Sequence, residues 1–90
     1  MRFALICIDK PGALQIRLDT RAAHLAHIAA TGVVEMAGPF LNAEGQMTGS
    51  LIILNVDSLA EAQDWAGLDP YSTAGLFESV TITEWKKVIG

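Results

Sequence analysis

Residues 16–31 read IRLDTRAAHLAHIAAT, a stretch that combines a helical repeat with both histidines of the chain. Because a helix has about 3.6 residues per turn, side chains three, four and seven positions apart share one stripe of its surface. One stripe consists of two arginines, a histidine and an isoleucine, and we call it the basic stripe: Arg17, Arg21, His24 and Ile28. The neighbouring stripe is apolar: Leu14, Leu18, Leu25 and Ala29. We expect the apolar stripe to face a core and the basic stripe to lie at the edge of that core.

A strand precedes this helix. Arg2–Asp9 reads RFALICID, a short run in which both alternating sets of side chains are apolar, so a strand buried on both faces is predicted. A turn over Asp9–Gly12 separates the strand from the helix. The helix is expected to run from Ala13 to Thr31 and to stop at Gly32, because glycine suits the left-handed conformation that ends many helices.

Two further strands are predicted after the helix. Val33–Phe40 begins as a strand and contains Gly38-Pro39; since proline cannot donate to a central ladder, this end is expected at an edge, a bulge or a strand exit. Gly45 lies in a polar connection and can adopt a positive φ, which favours a hairpin. Gly49–Val56 reads GSLIILNV and is again apolar on both faces.

The second half of the chain repeats the pattern of a helix followed by a strand. Ser58 and Glu61 form a capping box at the start of a helix over Leu59–Ala66. Asp69-Pro70-Tyr71 then opens a turn or a short helical piece. Phe77–Trp85 reads FESVTITEW, and its alternation indicates a half-exposed strand.

The predicted order of elements is β-α-β-β-α-β. This is the ferredoxin-like plan of the α+β class, an antiparallel sheet with both helices on one face. Because two strands are apolar on the second face as well, we expect a second copy to cover that face and form a homodimer. No linker or internal repeat divides the chain, and a single domain over residues 1–90 is predicted.

The composition narrows the possible functions. The formal net charge is −4 at pH 7 and no basic run is present, which argues against binding to nucleic acid or to an anionic membrane surface. No segment reaches the roughly 20 apolar residues of a membrane span. Cys7 is the single cysteine and lies in an apolar run, so we expect a buried structural thiol in a reducing environment. A soluble, cytoplasmic protein is predicted.

His24 is the candidate for acid/base chemistry, because imidazole is the side chain that changes charge near neutral pH. The alternative is a structural histidine at a packing edge. His24 and His27 also form an HxxH pair, but a metal site needs at least one further ligand and none accompanies the pair, so no metal is predicted. Asp69 could accept the Nδ1 proton of His24 and orient its ring, or it could act only as the N-cap before Pro70.

The candidate substrate-binding residues lie on the same helix and near strand ends. Arg21 could hold an anionic or enolic molecule. The other candidates could let a ligand come close to the backbone or could line the wall of a pocket. They are Gly38, Pro39, Phe40, Ser50 and Tyr71. The alternative is turn geometry for the glycine and core packing for the two aromatic residues. No glycine-rich phosphate loop is present, so nucleotide binding has no support.

Several short motifs together resemble a known family. They are Arg21-Ala22-Ala23-His24-Leu25, Ala37-Gly38-Pro39, Gly49-Ser50, Ala62-Gln63-Asp64-Trp65, Asp69-Pro70-Tyr71 and the closing Trp85. In order and spacing they are similar to the YCII-related domain family, over nearly the whole chain. The resemblance implies a ferredoxin-like fold that pairs into a dimeric α+β barrel, similar to muconolactone isomerase, and an active site built on His24 and Asp69. Some relatives look like dehydrochlorinases of chlorinated hydroxyquinols.

Three hypotheses follow. The first is a small-molecule enzyme without a cofactor, an isomerase or a lyase of the dehydrochlorinase type, in which His24 and Asp69 transfer protons on a small cyclic or enolisable substrate. The second is a non-catalytic dimer that binds a small molecule or serves as an accessory module. The third is a structural dimer in which Asp69 is only a helix cap. Fold alone does not choose among them.

Overall fold

The computed structural model describes residues 1–90 as four strands and three helices. In chain order they are β1 (Arg2–Asp9), α1 (Leu14–Thr31), β2 (Val34–Leu41), β3 (Met47–Asn55), α2 (Leu59–Leu68), α3 (Pro70–Thr73) and β4 (Phe77–Trp85). The first and last strands have their predicted bounds, and the other predicted elements differ by one or two residues at one or both ends. The helix α3 is the short piece that Asp69-Pro70-Tyr71 was expected to open.

The four strands form one antiparallel sheet in the order β2-β3-β1-β4. β1 lies in the centre and pairs with β3 on one side and β4 on the other. The predicted ferredoxin-like α+β plan is confirmed. β2 is an edge strand, and this position accommodates Pro39 because no central ladder bond is lost there.

The main core lies between the helices and one face of the sheet. Leu5 pairs with Ile52 and with Ile82, so these three side chains share that face. The buried members of the core are Phe3, Leu5, Cys7, Ile52, Leu54, Val56, Ala62 and Trp65. Trp65 also links the two long helices, since its indole N–H donates to Oγ1 of Thr31 at 2.9 Å.

The other face of the sheet is uncovered in a single copy. Ile8, Met36 and Trp85 lie on it, with 41%, 49% and 38% of their surface exposed. On β1 and β3, apolar side chains of this face alternate with those of the core, but most of them are less buried, so burial of both faces stays a prediction. Pairing with a second copy stays a prediction.

The orientation of α1 differs from the one expected. Arg17 and His24 are its buried residues, at 2% and 6% exposure, whereas Leu18 and Leu25 are 47% and 50% exposed. The prediction that the leucine stripe faces the core and the basic stripe its edge is therefore wrong. Arg17 and His24 of the basic stripe face inward, whereas Arg21 is exposed.

Polar partners beneath the helix explain this orientation. Asp9 at the end of β1 and Ser50 on β3 bind the side chain of Arg17, and Asp69 binds that of His24. Buried polar groups are tolerated where each finds a hydrogen-bond partner, and no enclosed side-chain nitrogen or oxygen here lacks one. The periodicity of α1 marks its stripes but does not reveal which stripe meets polar partners.

None of the helices is both long enough and apolar enough to cross a membrane. The cytoplasmic location stays a prediction.

Candidate active site

Asp69 lies at the junction of α2 and α3, where it is 1% exposed. Its Oδ1 accepts a hydrogen bond from the backbone N–H of Tyr71 at 3.1 Å, and Pro70 occupies the first turn of α3, as expected for an N-cap. The same oxygen lies 2.7 Å from Nδ1 of His24. Capping and contact with the histidine, which the sequence offered as alternatives, are combined in one carboxylate.

The geometry of His24 defines the roles of its two ring nitrogens. Because a carboxylate accepts, Nδ1 is the donor, and Nε2 carries the lone pair of the neutral imidazole. Nε2 makes no hydrogen bond within the chain. Because no buried side-chain nitrogen lacks a partner, Nε2 is accessible from outside the protein. The ring is stacked on Tyr71, with 3.9 Å between centroids and 15° between planes. A base oriented through one nitrogen and open at the other suits general acid/base catalysis.

Arg17 forms a second buried polar group beside the histidine. Its Nε and Nη2 each donate to Asp9 at 2.8 Å, and Nη2 also donates to Oγ of Ser50 at 2.9 Å. The guanidinium carbon lies 4.8 Å from the centroid of the Tyr71 ring. Burial acts to lower the pKa of Arg17, but the hydrogen bonds and charge of Asp9 outweigh it, so the pKa is raised above its ordinary value. Arg17 is therefore a permanent cation with its charge paired.

A pocket of about 170 Å³ opens between α1, β2, β3 and α3. Its polar wall consists of Arg17, Arg21, His24, Ser50 and Tyr71. Its apolar wall includes Leu25, Ile28, Ala37, Gly38 and Pro39. Arg21 makes no salt bridge and no side-chain hydrogen bond within the chain, so it presents an unpaired positive charge at the pocket.

Phe40 is the one predicted substrate-binding residue that lies away from this pocket. It pairs with Gly49 on the uncovered face of the sheet and lines a shallow cleft there with Met36 and Leu51. The structure therefore does not bring Phe40 to this pocket. Gly38 and Pro39 reach the pocket, but the side chain that follows them turns to the opposite face because side chains alternate along a strand.

Arg17 and Asp9 were missing from the predicted site. A signal for them exists in the sequence: Arg17 lies on the same helical stripe as Arg21 and His24, and Asp9 ends an apolar strand directly before that helix. A carboxylate at the end of a buried strand needs a partner, and an arginine in the first turn of the following helix can supply one.

A nucleophilic thiolate and a metal site have little support among these residues. Burial raises the pKa of the Cys7 thiol to about 12, so it is not a thiolate near neutral pH and suits the predicted structural role. The Nε2 atom of His27 lies 3.3 Å from the carbonyl oxygen of Trp65, away from the partner of His24. Nowhere do three or more His, Cys, Asp or Glu side chains gather as metal ligands would.

Comparison with known proteins places this chain in a family. The model of the YCII-related domain matches residues 1–86. The chain belongs to the YCII-related domain family. The protein YciI of Escherichia coli O6:H1 is 36% identical to it, over 98% of this chain and 99% of that protein, and an uncharacterized protein of Haemophilus influenzae is 34% identical over the same shares.

One similar solved structure is an enzyme with a bound small molecule. It is the 5-chloro-2-hydroxyhydroquinone dehydrochlorinase of Burkholderia phenoliruptrix AC1100 in complex with 2,5-dihydroxybenzoquinone. It superimposes with a TM-score of 0.88 at 36% identity and covers 96% of this YCII-family chain and 94% of its own. An antibiotic biosynthesis monooxygenase, with a TM-score of 0.60 and 11% identity, shares the fold alone. The YCII-family chain is thus similar in sequence and fold to an enzyme of small-molecule metabolism.

Proposed function

We propose that this YCII-family protein is a cofactor-independent enzyme that transfers protons on a small cyclic or enolisable substrate, with His24 as base and acid and Asp69 as its orienting carboxylate. One observation carries the proposal. The 2.7 Å contact between Nδ1 of His24 and Oδ1 of Asp69 leaves Nε2 free on a residue that lines the pocket. The imidazolium that forms when Nε2 accepts a proton is stabilised by the carboxylate at Nδ1.

The chemistry balances without an oxidant or a reductant. In an isomerisation, Nε2 of His24 removes a proton from one substrate atom and the imidazolium returns it to another. In a dehydrochlorination, a proton moves from a ring hydroxyl to the carbon that bears chlorine. A second hydroxyl group then loses its proton as the carbon–chlorine bond breaks. The electron pair of the carbon–chlorine bond leaves with chloride. The net loss is one molecule of hydrogen chloride.

The pocket suits a single-ring substrate that carries negative charge on oxygen. An apolar cavity of roughly 150 Å³ is enough for benzene, which is close to the 170 Å³ found here. Leu25, Ile28 and Pro39 offer apolar contacts to a ring, and the unpaired charge of Arg21 attracts an anionic oxygen. The quinone bound to the similar dehydrochlorinase has this chemistry and supports the same class of substrate here.

The proposed active form is a homodimer that pairs through the uncovered face of the sheet. Ile8, Met36 and Trp85 are exposed there, and burying apolar surface is the main driving force of association. A chain this short also has a thin core, so burial against a second copy adds stability.

Release of chloride from 5-chloro-2-hydroxyhydroquinone tests the proposal. Native protein is expected to release chloride, and His24→Ala to lower the rate by about 10²–10⁴-fold, because a positioned base contributes a factor of this size. Asp69→Asn keeps the cap of α3, since asparagine caps as well as aspartate, and is expected to lose activity without losing the fold. His27→Ala, outside the pocket, is the matched control and should retain the native rate.

Two outcomes would contradict the proposal, the first its mechanism and the second its enzymatic activity. Chloride release by His24→Ala at the native rate would remove the base from the mechanism. Binding of 2,5-dihydroxybenzoquinone without any turnover by native protein would favour the alternative, a non-catalytic binding or accessory module.

A further inference from the structure

We infer that the hydroxyl groups of Ser50 and Tyr71 form a subsite for a negatively charged oxygen of the bound molecule, and that Arg17 is the positioning residue that directs the Ser50 proton into it. The inference rests on the proposed function and deepens it, because it names the groups that receive the charge produced when His24 removes a proton.

The direction of the Ser50 hydroxyl follows from its partner. Nη2 of Arg17 donates to Oγ of Ser50 at 2.9 Å, so one lone pair of that oxygen is occupied. A hydroxyl has one proton and two lone pairs, and Ser50 donates its proton to no acceptor within the chain. Ser50 lines the pocket, so its proton is available to an acceptor bound there.

Arg17 holds this arrangement permanently. A guanidinium is always a donor and never an acceptor, so Ser50 cannot reverse the bond. The two 2.8 Å bonds to Asp9 fix the plane of the guanidinium and pair its charge, with both side chains almost fully buried. Arg17 therefore acts on the bound oxygen chiefly through Ser50.

Tyr71 supplies the second donor. Its position is fixed by the hydrogen bond from its backbone N–H to Asp69, by the stacked ring of His24 at 3.9 Å and by the guanidinium of Arg17 at 4.8 Å from its centroid. The hydroxyl donates its proton to no acceptor within the chain, although the residue is buried and lines the pocket. Burial raises the pKa of Tyr71, against the opposing charges of Arg17 and Arg21, so the hydroxyl keeps its proton at neutral pH.

The two hydroxyls lie in the pocket where charge develops. When a base takes a proton from a hydroxyl or from a carbon next to a carbonyl, the electron pair moves to an oxygen of the substrate. Fixed donors aimed at such an oxygen stabilise the transition state, because they need no reorganisation as the charge appears. The expected ligand is therefore a phenolate or an enolate.

A phenol that undergoes no reaction tests the subsite separately from turnover. The probe is 2,6-difluorophenol, whose fluorine NMR shift reports its ionisation when it is bound to the protein. Native protein is expected to bind the phenolate more tightly than the phenol, so that the pKa of the bound probe falls below that of the free probe. Ser50→Ala and Tyr71→Phe should each raise the pKa of the bound probe by about one unit, the size expected for a hydrogen bond to a charged group.

Thr48→Ala is the matched control, since it removes an exposed hydroxyl from the same strand outside the pocket. Arg17, Arg21 and His24, the charged and titratable neighbours in the pocket, are unchanged in all these proteins, so the differences report the hydroxyls. Tyr71→Phe keeps the ring stacked on His24, and Ser50→Ala removes one atom, so both variants are expected to fold.

The inference is overturned if native protein does not lower the pKa of the probe, or if Ser50→Ala and Tyr71→Phe change it no more than Thr48→Ala does. If that result is accompanied by chloride release that depends on His24, the proposed subsite is wrong and the proposed enzymatic function still stands. The expected shifts without any turnover would instead establish the subsite in a protein that only binds its ligand.

Discussion

At the scale of single residues, the carboxylate of Asp9 is the partner on which the buried side chain of Arg17 depends. Their side chains are 6% and 3% exposed and are joined by two bonds of 2.8 Å. Removing one member of a buried pair leaves a charge without compensation, which typically costs 3–5 kcal/mol. Asp9→Asn keeps the shape of the side chain and removes its charge. We expect it to lower the free energy of unfolding, measured in urea, by about 3 kcal/mol.

Asp19→Asn is the control for this prediction. Asp19 lies on the exposed side of the same helix, where Gln15 donates to it at 2.8 Å. An exposed contact of this kind contributes little, and we expect a change within about 0.5 kcal/mol. Equal small effects in both variants would show that the charge of Arg17 is satisfied without Asp9.

At the scale of secondary-structure elements, the contact between β1 and β3 depends on a residue without a side chain. A Cβ atom on Gly49 would overlap the carbonyl oxygen of Cys7 on the neighbouring strand. Gly49→Ala must therefore push the strands apart next to Ser50, and overpacking of this kind typically costs 1–3 kcal/mol. We expect thermal unfolding to show a clearly lower midpoint for Gly49→Ala. Gly38→Ala, in a strand position with no atom within 4 Å of the added carbon, should unfold at nearly the native temperature.

The same scale shows what local sequence patterns can and cannot predict. Strands and helices were predictable because their signals are local, as in the glycine after α1 and the capping serine of α2. The orientation of α1 was not, because it depends on carboxylates from β1 and from the start of α3. Alternation puts Phe40 on the face opposite to Pro39, but which of these two faces holds the pocket depends on the pairing of β2 with β3 and on the position of α1, which are not local signals.

At the scale of the whole molecule, the uncovered sheet face predicts association. Ile8 lies on the central strand and is 41% exposed in a single copy. We expect light scattering to give native protein twice the mass of one 9.6 kDa chain and Ile8→Lys the mass of a single chain, because a charge buried in the interface is strongly unfavourable. Leu68→Lys, on an exposed helix position of the opposite layer, should leave the mass unchanged. A native monomer would refute the dimer.

At this larger scale, the sequence predicted part of the candidate site. His24 and Asp69 are 45 residues apart, and their contact was implied by family resemblance before the structure brought the two atoms within 2.7 Å. Most of the predicted pocket residues meet around them because α1, α3 and the β2–β3 pair converge there. Arg17 was overlooked because a charged side chain on a helix is normally solvated, and only the fold reveals that Asp9 and Ser50 lie beneath it.

Nitrogen NMR of the two imidazole rings examines the proposed base without a substrate. The native protein is measured at a pH where the rings are neutral, and the nitrogen shifts identify the protonated atom of each ring. His24 is expected to carry its proton on Nδ1, which donates to Asp69 at 2.7 Å, leaving the Nε2 lone pair as the base. His27 is the internal control with the opposite tautomer, because its Nε2 faces the carbonyl oxygen of Trp65 at 3.3 Å. If His24 instead carries its proton on Nε2, Asp69 does not orient the ring, no base faces the pocket, and the proposed mechanism is wrong.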